Sequence, residues 1–253
     1  MAWVDYDQLA AVYDRDRAVP LDALEPWRAA LAAYLPPACG LPVLDLGAGT
    51  GLFSAAIAQW FGAAVVAVEP SEGMRRQAGM ARPHPRVAYV GGRGEQMPLR
   101  DGCCGSAWLS TVIHHLSDLA ACAGELRRVV RPGGWVLVRQ AFPDRPEPGT
   151  QLFTFWPAAR AILARAPTVK ATIATFTDAG YTLHRLEQIS DQSAASLTEA
   201  YDRARVRADS LLRLLPDADF FNGLEALERA AAAETTPTPV IRRLDLLVLQ
   251  APR

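Results

Sequence analysis

The chain has 253 residues, half of them hydrophobic, and 26 Lys and Arg against 27 Asp and Glu give a formal net charge of −1. That length suits one α/β domain with added helices rather than two full domains, and the even charge balance leaves no electrostatic case for a nucleic-acid partner. No apolar run is long enough to span a bilayer and the opening MAWVDYDQLA has no signal-peptide pattern, so a cytoplasmic protein without a membrane partner is expected.

Near the start, Tyr6 and Tyr13 stand seven residues apart, two helical turns and hence one face. From Leu21 to Leu35 apolar residues recur at helical spacing, and Pro36 and Pro37 end the predicted helix. Val43 to Gly51, VLDLGAGTG, reads as a buried strand running into a glycine-rich turn that opens a helix. Gly47, Gly49 and Gly51 remove the side chains that would hold a ligand off the backbone, and glycine takes the positive φ angles of a tight turn. Asp45, where the strand ends, suits a positively charged amino group and repels a phosphate. The dinucleotide fingerprint G-x-G-x-x-G would need glycine at Leu52, which disfavours NAD.

The valine-rich segment AAVVAVEP, from Ala63 to Pro70, is typical of a parallel strand covered on both faces. Glu69 at its end can accept hydrogen bonds from both hydroxyls of a ribose. Ser71 is the expected N-cap of a helix through Glu72, Met74 and Gln77, Arg86 to Val90 a third strand, and Cys104 to Ser110 a fourth. Leu119 to Val130 is predicted to be helical, with RPGG from Arg131 ending it and leading into the strand WVLVRQ. This β-α alternation demands a mostly parallel sheet with ligands outside the C-terminal strand edges.

Beyond Ala141 clustered prolines interrupt regular structure, while Phe153, Phe155 and Trp156 suit a lid or pocket wall. Thr168 to Ala179 reads as a helix closed by Gly180, and Tyr181 to Ile189 as a sixth strand. Within 191–236, Leu197, Tyr201, Ala204, Ala208, Leu211 and Leu215 recur at helical spacing, and a second helix follows with Phe221, Leu224 and Leu227 on one face. Arg203, Arg205 and Arg207, flanked by Asp202 and Asp209, read as a solvated helix face. TTPTP breaks the pattern before RRLDLLVLQ, a final strand. The cysteines, Cys39, Cys103, Cys104 and Cys122, hold no C-x-x-C pair and read as core or turn residues, with no metal expected. Lys170 is the only lysine, which disfavours Schiff-base chemistry.

The D-x-G-x-G-x-G pattern from Asp45 to Gly51, followed by Glu69 one βα unit later, resembles motif I and its acidic partner in the class I S-adenosylmethionine (SAM) methyltransferases, in particular the ubiquinone-type small-molecule enzymes. The resemblance covers most of residues 5–140. It implies a doubly wound, mostly parallel seven-stranded α/β sheet of the Rossmann-like methyltransferase kind with its last strand antiparallel; the helical insertion over 191–236 is a departure, since the family passes almost directly to that strand. It also implies that Asp45, Gly47, Ala48, Gly49, Thr50 and Gly51 cradle the cofactor, with Glu69 and Pro70 at the ribose and Met74 near the adenine. The loop VGGRGEQMPL is similar to the family's adenine-edge loop, which makes Arg93, Gly94 and Glu95 cofactor contacts. Arg93 departs from the family's Asp there, since guanidinium has no acceptor to offer the adenine amino group. Ser110 and Thr111 would face the methionine part. His114 and His115 match a His pair common after the fourth strand and are the candidate general bases. The segment YDQLAAVYDRDR resembles one that covers SAM in these enzymes, placing Tyr13 at the cofactor, Arg17 or Arg15 at its carboxylate, and Tyr6 toward the acceptor.

On this basis the chain is expected to be a single domain with a helical cover over 1–35, a SAM-binding core over 43–140, and acceptor-site insertions over 141–166 and 191–236 carrying Phe153, Trp156 and Tyr201. The expected reaction is methyl transfer to an O, N or C nucleophile of a small or medium-sized organic molecule, by a monomer or homodimer. Two other readings stay open: a SAM-fold protein without methyl transfer, acting as binding partner or cyclase, and an NAD-dependent oxidoreductase.

Overall fold

The computed structural model describes residues 21–35, 40–145 and 149–253. Its sheet contains β1 (Val43–Leu46), β2 (Val65–Val68), β3 (Val87–Val90), β4 (Cys104–Ser110), β5 (Val130–Gln140), β6 (Gly149–Thr150), β7 (Thr182–Ala194) and β8 (Val240–Gln250). Around it lie α1 (Glu25–Leu31), α2 (Leu52–Phe61), α3 (Glu72–Ala81), α4 (Leu119–Val129), α5 (Ala159–Leu163), α6 (Val169–Asp178), α7 (Leu197–Ala204), α8 (Ser210–Arg213) and α9 (Asp217–Ala232).

The spatial order is β3-β2-β1-β4-β5-β8, with β7 on the other edge of β8. The first five of these run parallel, and β8 is antiparallel to both β5 and β7. The two-residue β6 continues the pairing along β8 where β5 stops, Thr150 facing Arg242 and Gln140 facing Asp245. The expected seven-stranded sheet with its antiparallel last strand is therefore present, with β6 as a small addition. Strand order reverses between β1 and β4, and in open α/β sheets the crevice at such a point is where ligands bind.

Every residue of β1 is buried because apolar helices cover both faces. Leu44, Leu46, Leu109, Val138 and Leu247 pack with Cys122 and Leu126 of α4 and Phe176 of α6. Val43, Trp108, Leu137, Leu246 and Val248 pack on the opposite face with Trp27 of α1 and Phe53 and Ile57 of α2. Each such side chain contributes about 1.5–3 kcal/mol on leaving water.

Several boundaries differ from the sequence-based expectation for local reasons. The helix predicted from Leu21 to Leu35 is instead a 3-10 turn, Leu21–Leu24, followed by α1. Pro26 lacks an N–H and is tolerated only in a first turn, so the α-helix begins beside it. Strand β7 continues past Ile189, its Ala194 still paired with Val240. The single helix predicted from Leu197 to Leu215 is broken: Arg207 adopts φ 53 and Asp209 caps α8 through the Leu211 N–H at 2.8 Å.

That break also changes the role of the arginines. Arg207 donates to the Leu212 carbonyl at 3.0 Å and to Asp217 at 2.6 Å, and Arg203 donates to the Ser193 carbonyl and Glu199. Both are internal brackets, and Arg205, beside Asp202, stays at the surface. On α9 the inward residues are Phe220, Gly223 and Leu227, whereas Phe221 is 59% exposed. A Cβ on Gly223 would lie 2.2 Å from Trp156 Nε1, so the small residue lets Trp156 lie against this helix and stack on Phe220.

Candidate cofactor and acceptor site

The glycine turn lies at the crevice between β1 and β4. Gly47 and Gly51 adopt φ 70 and 78, and a Cβ would lie 2.3 Å from Val112 at the first and 2.1 Å from the Tyr89 hydroxyl at the second. These two positions are closed from below, so only glycine fits. Gly49, at φ 55, has nothing within 4 Å of where its Cβ would be, and the open side of its backbone forms a cradle. Gly47 N–H donates to the Val68 carbonyl at 2.8 Å, tying the turn to β2.

Glu69, one residue past β2 and 7% exposed, braces this turn from the side. One carboxylate oxygen accepts the Gly49 N–H at 2.9 Å and the other the Ser71 N–H at 3.0 Å. A carboxylate oxygen accepts more than one hydrogen bond, so Glu69 retains capacity for a diol. Ser71 caps α3 as predicted, accepting from Met74 N–H at 3.1 Å. Met74 itself is buried at 2% exposure, a core side chain rather than an open wall. Arg75, missed in the sequence, donates to the Glu69 and Pro70 carbonyls at 2.6 and 2.8 Å and fixes the bend after β2.

Asp45 is not at an open cleft. It is 1% exposed, on the strand face that looks toward α2, and accepts the Ser54 hydroxyl hydrogen bond at 2.5 Å. Burial pushes its carboxyl from 3.8 up to about 7, with the Glu69 charge adding to the rise and the Ser54 hydrogen bond opposing it. Tyr89 lies under the same turn, its hydroxyl pushed up to about 12 by burial and then by the Asp45 charge. Among the described residues the Tyr89 oxygen has no hydrogen-bond partner.

The loop between β3 and β4 is held as a unit. Glu95 accepts from Ser117 N–H and hydroxyl at 2.8 and 2.7 Å and from Asp118 N–H at 3.3 Å, binding this loop to the one after β4. Burial raises its pKa, but the Ser117 and backbone bonds outweigh it and hold the carboxyl below its usual range. Gly94 presses its backbone against Leu116 and Cys122. The Arg93 side chain is 53% exposed and 4.0 Å from Glu95, so it reaches outward.

On the other side of the crevice, Thr111 adopts φ 53, rare for a residue with a β-carbon, and its N–H donates to the Arg139 carbonyl at 2.7 Å. The Ser110 hydroxyl accepts from the Arg139 guanidinium at 3.2 Å. Arg139 anchors a buried network absent from the sequence reading. It pairs with Asp191 of β7 at 3.1 Å, which also accepts from Trp27 at 2.7 Å and from Arg242 at 2.8 and 2.9 Å. The guanidinium lies 4.7 Å from the Trp27 ring and 5.2 Å from that of Phe53. Burial raises the Asp191 pKa, yet Arg242 and then Arg139 and Trp27 outweigh it and hold it below the carboxylate range. Past Thr111, the turn Ile113–His115 brings the His114 and His115 rings within 4.0 Å of each other. Asp245, 1% exposed on β8, pairs with Arg145 at 2.9 Å.

Against known proteins, the methyltransferase domain family model matches residues 44–138. A demethylmenaquinone methyltransferase of Clavibacter sepedonicus is 34% identical over 151 residues, covering 56% of this chain and 58% of that protein. One of Streptomyces griseus is 30% identical over 164 residues, covering 62% of this chain and 70% of that protein. The chain belongs to the class I SAM-dependent methyltransferases. It spans less than two thirds of the Clavibacter relative, so family membership is shown without the relatives' substrates. The crystal structure of a candidate methyltransferase of an antibiotic biosynthesis pathway from Anabaena variabilis gives a TM-score of 0.71 at 23% identity, over 92% of this chain and 98% of that one, a likeness of fold.

SAM is the cofactor of this family, and the residues of this member fit it. The open backbone at Gly49 and the Glu69 carboxylate beside it make a cradle without phosphate-binding character, with Asp45 and the Tyr89 hydroxyl buried beneath the turn. The loop between β3 and β4 and the loop carrying the His pair join each other through Glu95 and Ser117. The insertion aromatics do not join them: Phe153 and Trp156 are 4% and 1% exposed within the insertion's own core, and Trp156 donates to the Phe220 carbonyl at 3.0 Å. Tyr201 is tied to Glu228 at 2.9 Å. Tyr6, Tyr13, Arg15, Arg17 and Cys39 lie outside the described residues. Among the described residues no group of three metal-ligating side chains occurs, and no helix is long and apolar enough to cross a membrane.

Proposed function

We propose that the chain transfers the methyl group of SAM to a small or medium-sized organic molecule bearing an ionisable O, N or C nucleophile, acting in the cytoplasm. The observation that carries this reading is Glu69 bound to the Gly49 and Ser71 N–H groups, which preorganises the glycine turn and presents a carboxylate to a ribose. Ala48, Thr50, Pro70, Gly94, Ser110 and Thr111 complete the contacts, with Tyr13 and Arg17 covering the cofactor. Bound SAM supplies an already activated methyl group, so the protein chiefly holds donor and acceptor in line and excludes water. His114 and His115 are the candidate bases for the acceptor's proton. Relatives named for demethylmenaquinone and for malonyl-[acyl-carrier protein] support small-molecule acceptors, with the first making phenolic and quinol-like rings the first class to screen.

The test is incubation with methyl-deuterated SAM and a panel of phenols, enols, quinols and carboxylic acids, read by mass spectrometry. A product carrying the deuterated methyl is expected, formed more slowly and without the acidic limb of the pH profile in one of His114→Gln or His115→Gln. SAM binding without a methylated product from any acceptor class would instead support a non-methylating SAM-fold protein.

A further inference from the structure

Strand β5 is apolar through Trp135, Val136, Leu137 and Val138, then ends on Arg139 and Gln140. Alternation sends these two to opposite faces of the sheet. Arg139 turns toward Trp27 and Phe53, and Gln140 turns to the face carrying Val136 and Val138. Gln140 is 2% exposed, and a carboxamide buried this far is costly unless it is hydrogen-bonded. Its partner is His114. The Gln140 Nε2 and Oε1 atoms lie 3.2 and 3.4 Å from His114 Nδ1, and Nε2 also reaches the Ala141 carbonyl at 3.4 Å.

The chemistry of the pair is asymmetric. When an imidazole accepts a proton at Nε2, Nδ1 must be a donor, and the carboxamide oxygen is the acceptor within reach. A neutral amide does this without placing a negative charge of its own beside the ring, so it orients the imidazole through its oxygen alone.

We propose that Gln140 is a positioning residue that holds His114 by Nδ1, making Nε2 of His114 the site that takes the acceptor's proton. This rests on the methyltransferase reading above. The acceptor loses its proton to Nε2 and gains the methyl group: the electron pair of its X–H bond becomes the X–C bond, and the sulfur keeps the pair of the bond it loses. The proton then passes to solvent.

The test has two readouts. Nitrogen-15 NMR of the protein alone, without acceptor, reports which nitrogen of His114 carries the proton. The wild type is expected to show Nδ1 protonated, Gln140→Leu to revert to the Nε2-protonated form, and Gln140→Glu, which keeps the acceptor oxygen, to restore Nδ1 protonation. In turnover, Gln140→Leu is expected to lower kcat about 10–100-fold with acceptor KM within about twofold, as general-base catalysis is worth about 10²–10⁴. Unchanged SAH (S-adenosylhomocysteine) affinity in the variant separates this from misfolding. The same His114 tautomer in wild type and Gln140→Leu, or unaltered kcat, overturns the proposal. If the wild type turns over no acceptor, the methyltransferase reading has failed, and the tautomer comparison alone decides whether Gln140 holds His114.

Discussion

Asp45→Asn isolates the electrostatic cost of building this site. The carboxyl is raised from 3.8 to about 7, chiefly by burial, so the folded state binds a proton more tightly than the unfolded chain. Stability from this group is therefore complete below about pH 4, falls as pH rises toward 7, and is level above it. A shift of about three units corresponds to about 4 kcal/mol, of which about 2–3 kcal/mol is lost between pH 5 and pH 8. Asparagine is nearly isosteric, can still hydrogen-bond with Ser54, and does not titrate. Urea unfolding of wild type and variant at pH 5 and pH 8 cancels the other titrating groups. The variant's loss between the two pH values should be smaller than the wild type's by about 2–3 kcal/mol. Parallel pH profiles in the two proteins would refute the argument that the Asp45 charge is strained by burial.

Glu69→Ala removes acceptors for the Gly49 and Ser71 N–H groups as well as for a ribose, and should weaken SAH binding about 10–100-fold by calorimetry, since charge-assisted hydrogen bonds are worth about 1.5–3 kcal/mol. Gly51→Ala should destabilise the fold by at least about 1–2 kcal/mol for φ 78 alone, and adding Tyr89→Phe, which removes the oxygen 2.1 Å from the new methyl, should recover only the excess, measured by denaturant unfolding. Asp191→Ala leaves the buried Arg139 and the partly buried Arg242 without their carboxylate and should cost about 3–5 kcal/mol, whereas a loss within about 0.5 kcal/mol would show that the network is not a structural tie.

What the sequence revealed was what neighbouring residues encode. The strand, glycine turn and helix from Val43 onward, and Glu69 after the next strand, are short-range patterns, and the structure joins them through one carboxylate. The Ser71 cap and the Gly180 stop were legible for the same reason. The Arg139 network was not, because Asp191 lies 52 residues from Arg139, 51 from Arg242 and 164 from Trp27. Gln140 and His114 are 26 residues apart, and only the pairing of β4 with β5 brings them together. Asp45 was placed at the correct end of the strand, but its alternation with Val43, which points it under α2, went unused. The insertion aromatics misled because aromatic clusters look alike whether they line a pocket or form a private core, and because Phe220 and Phe221, about 100° apart on a helix, offer two plausible stripes.

The most direct test of the account is calorimetric titration of the purified protein with S-adenosylhomocysteine beside NAD. Saturable one-to-one binding of S-adenosylhomocysteine, weakened by Glu69→Ala and with no heat from NAD, is the predicted result. Binding of NAD, or of neither ligand, would contradict the assignment of the glycine turn and Glu69 to a SAM site.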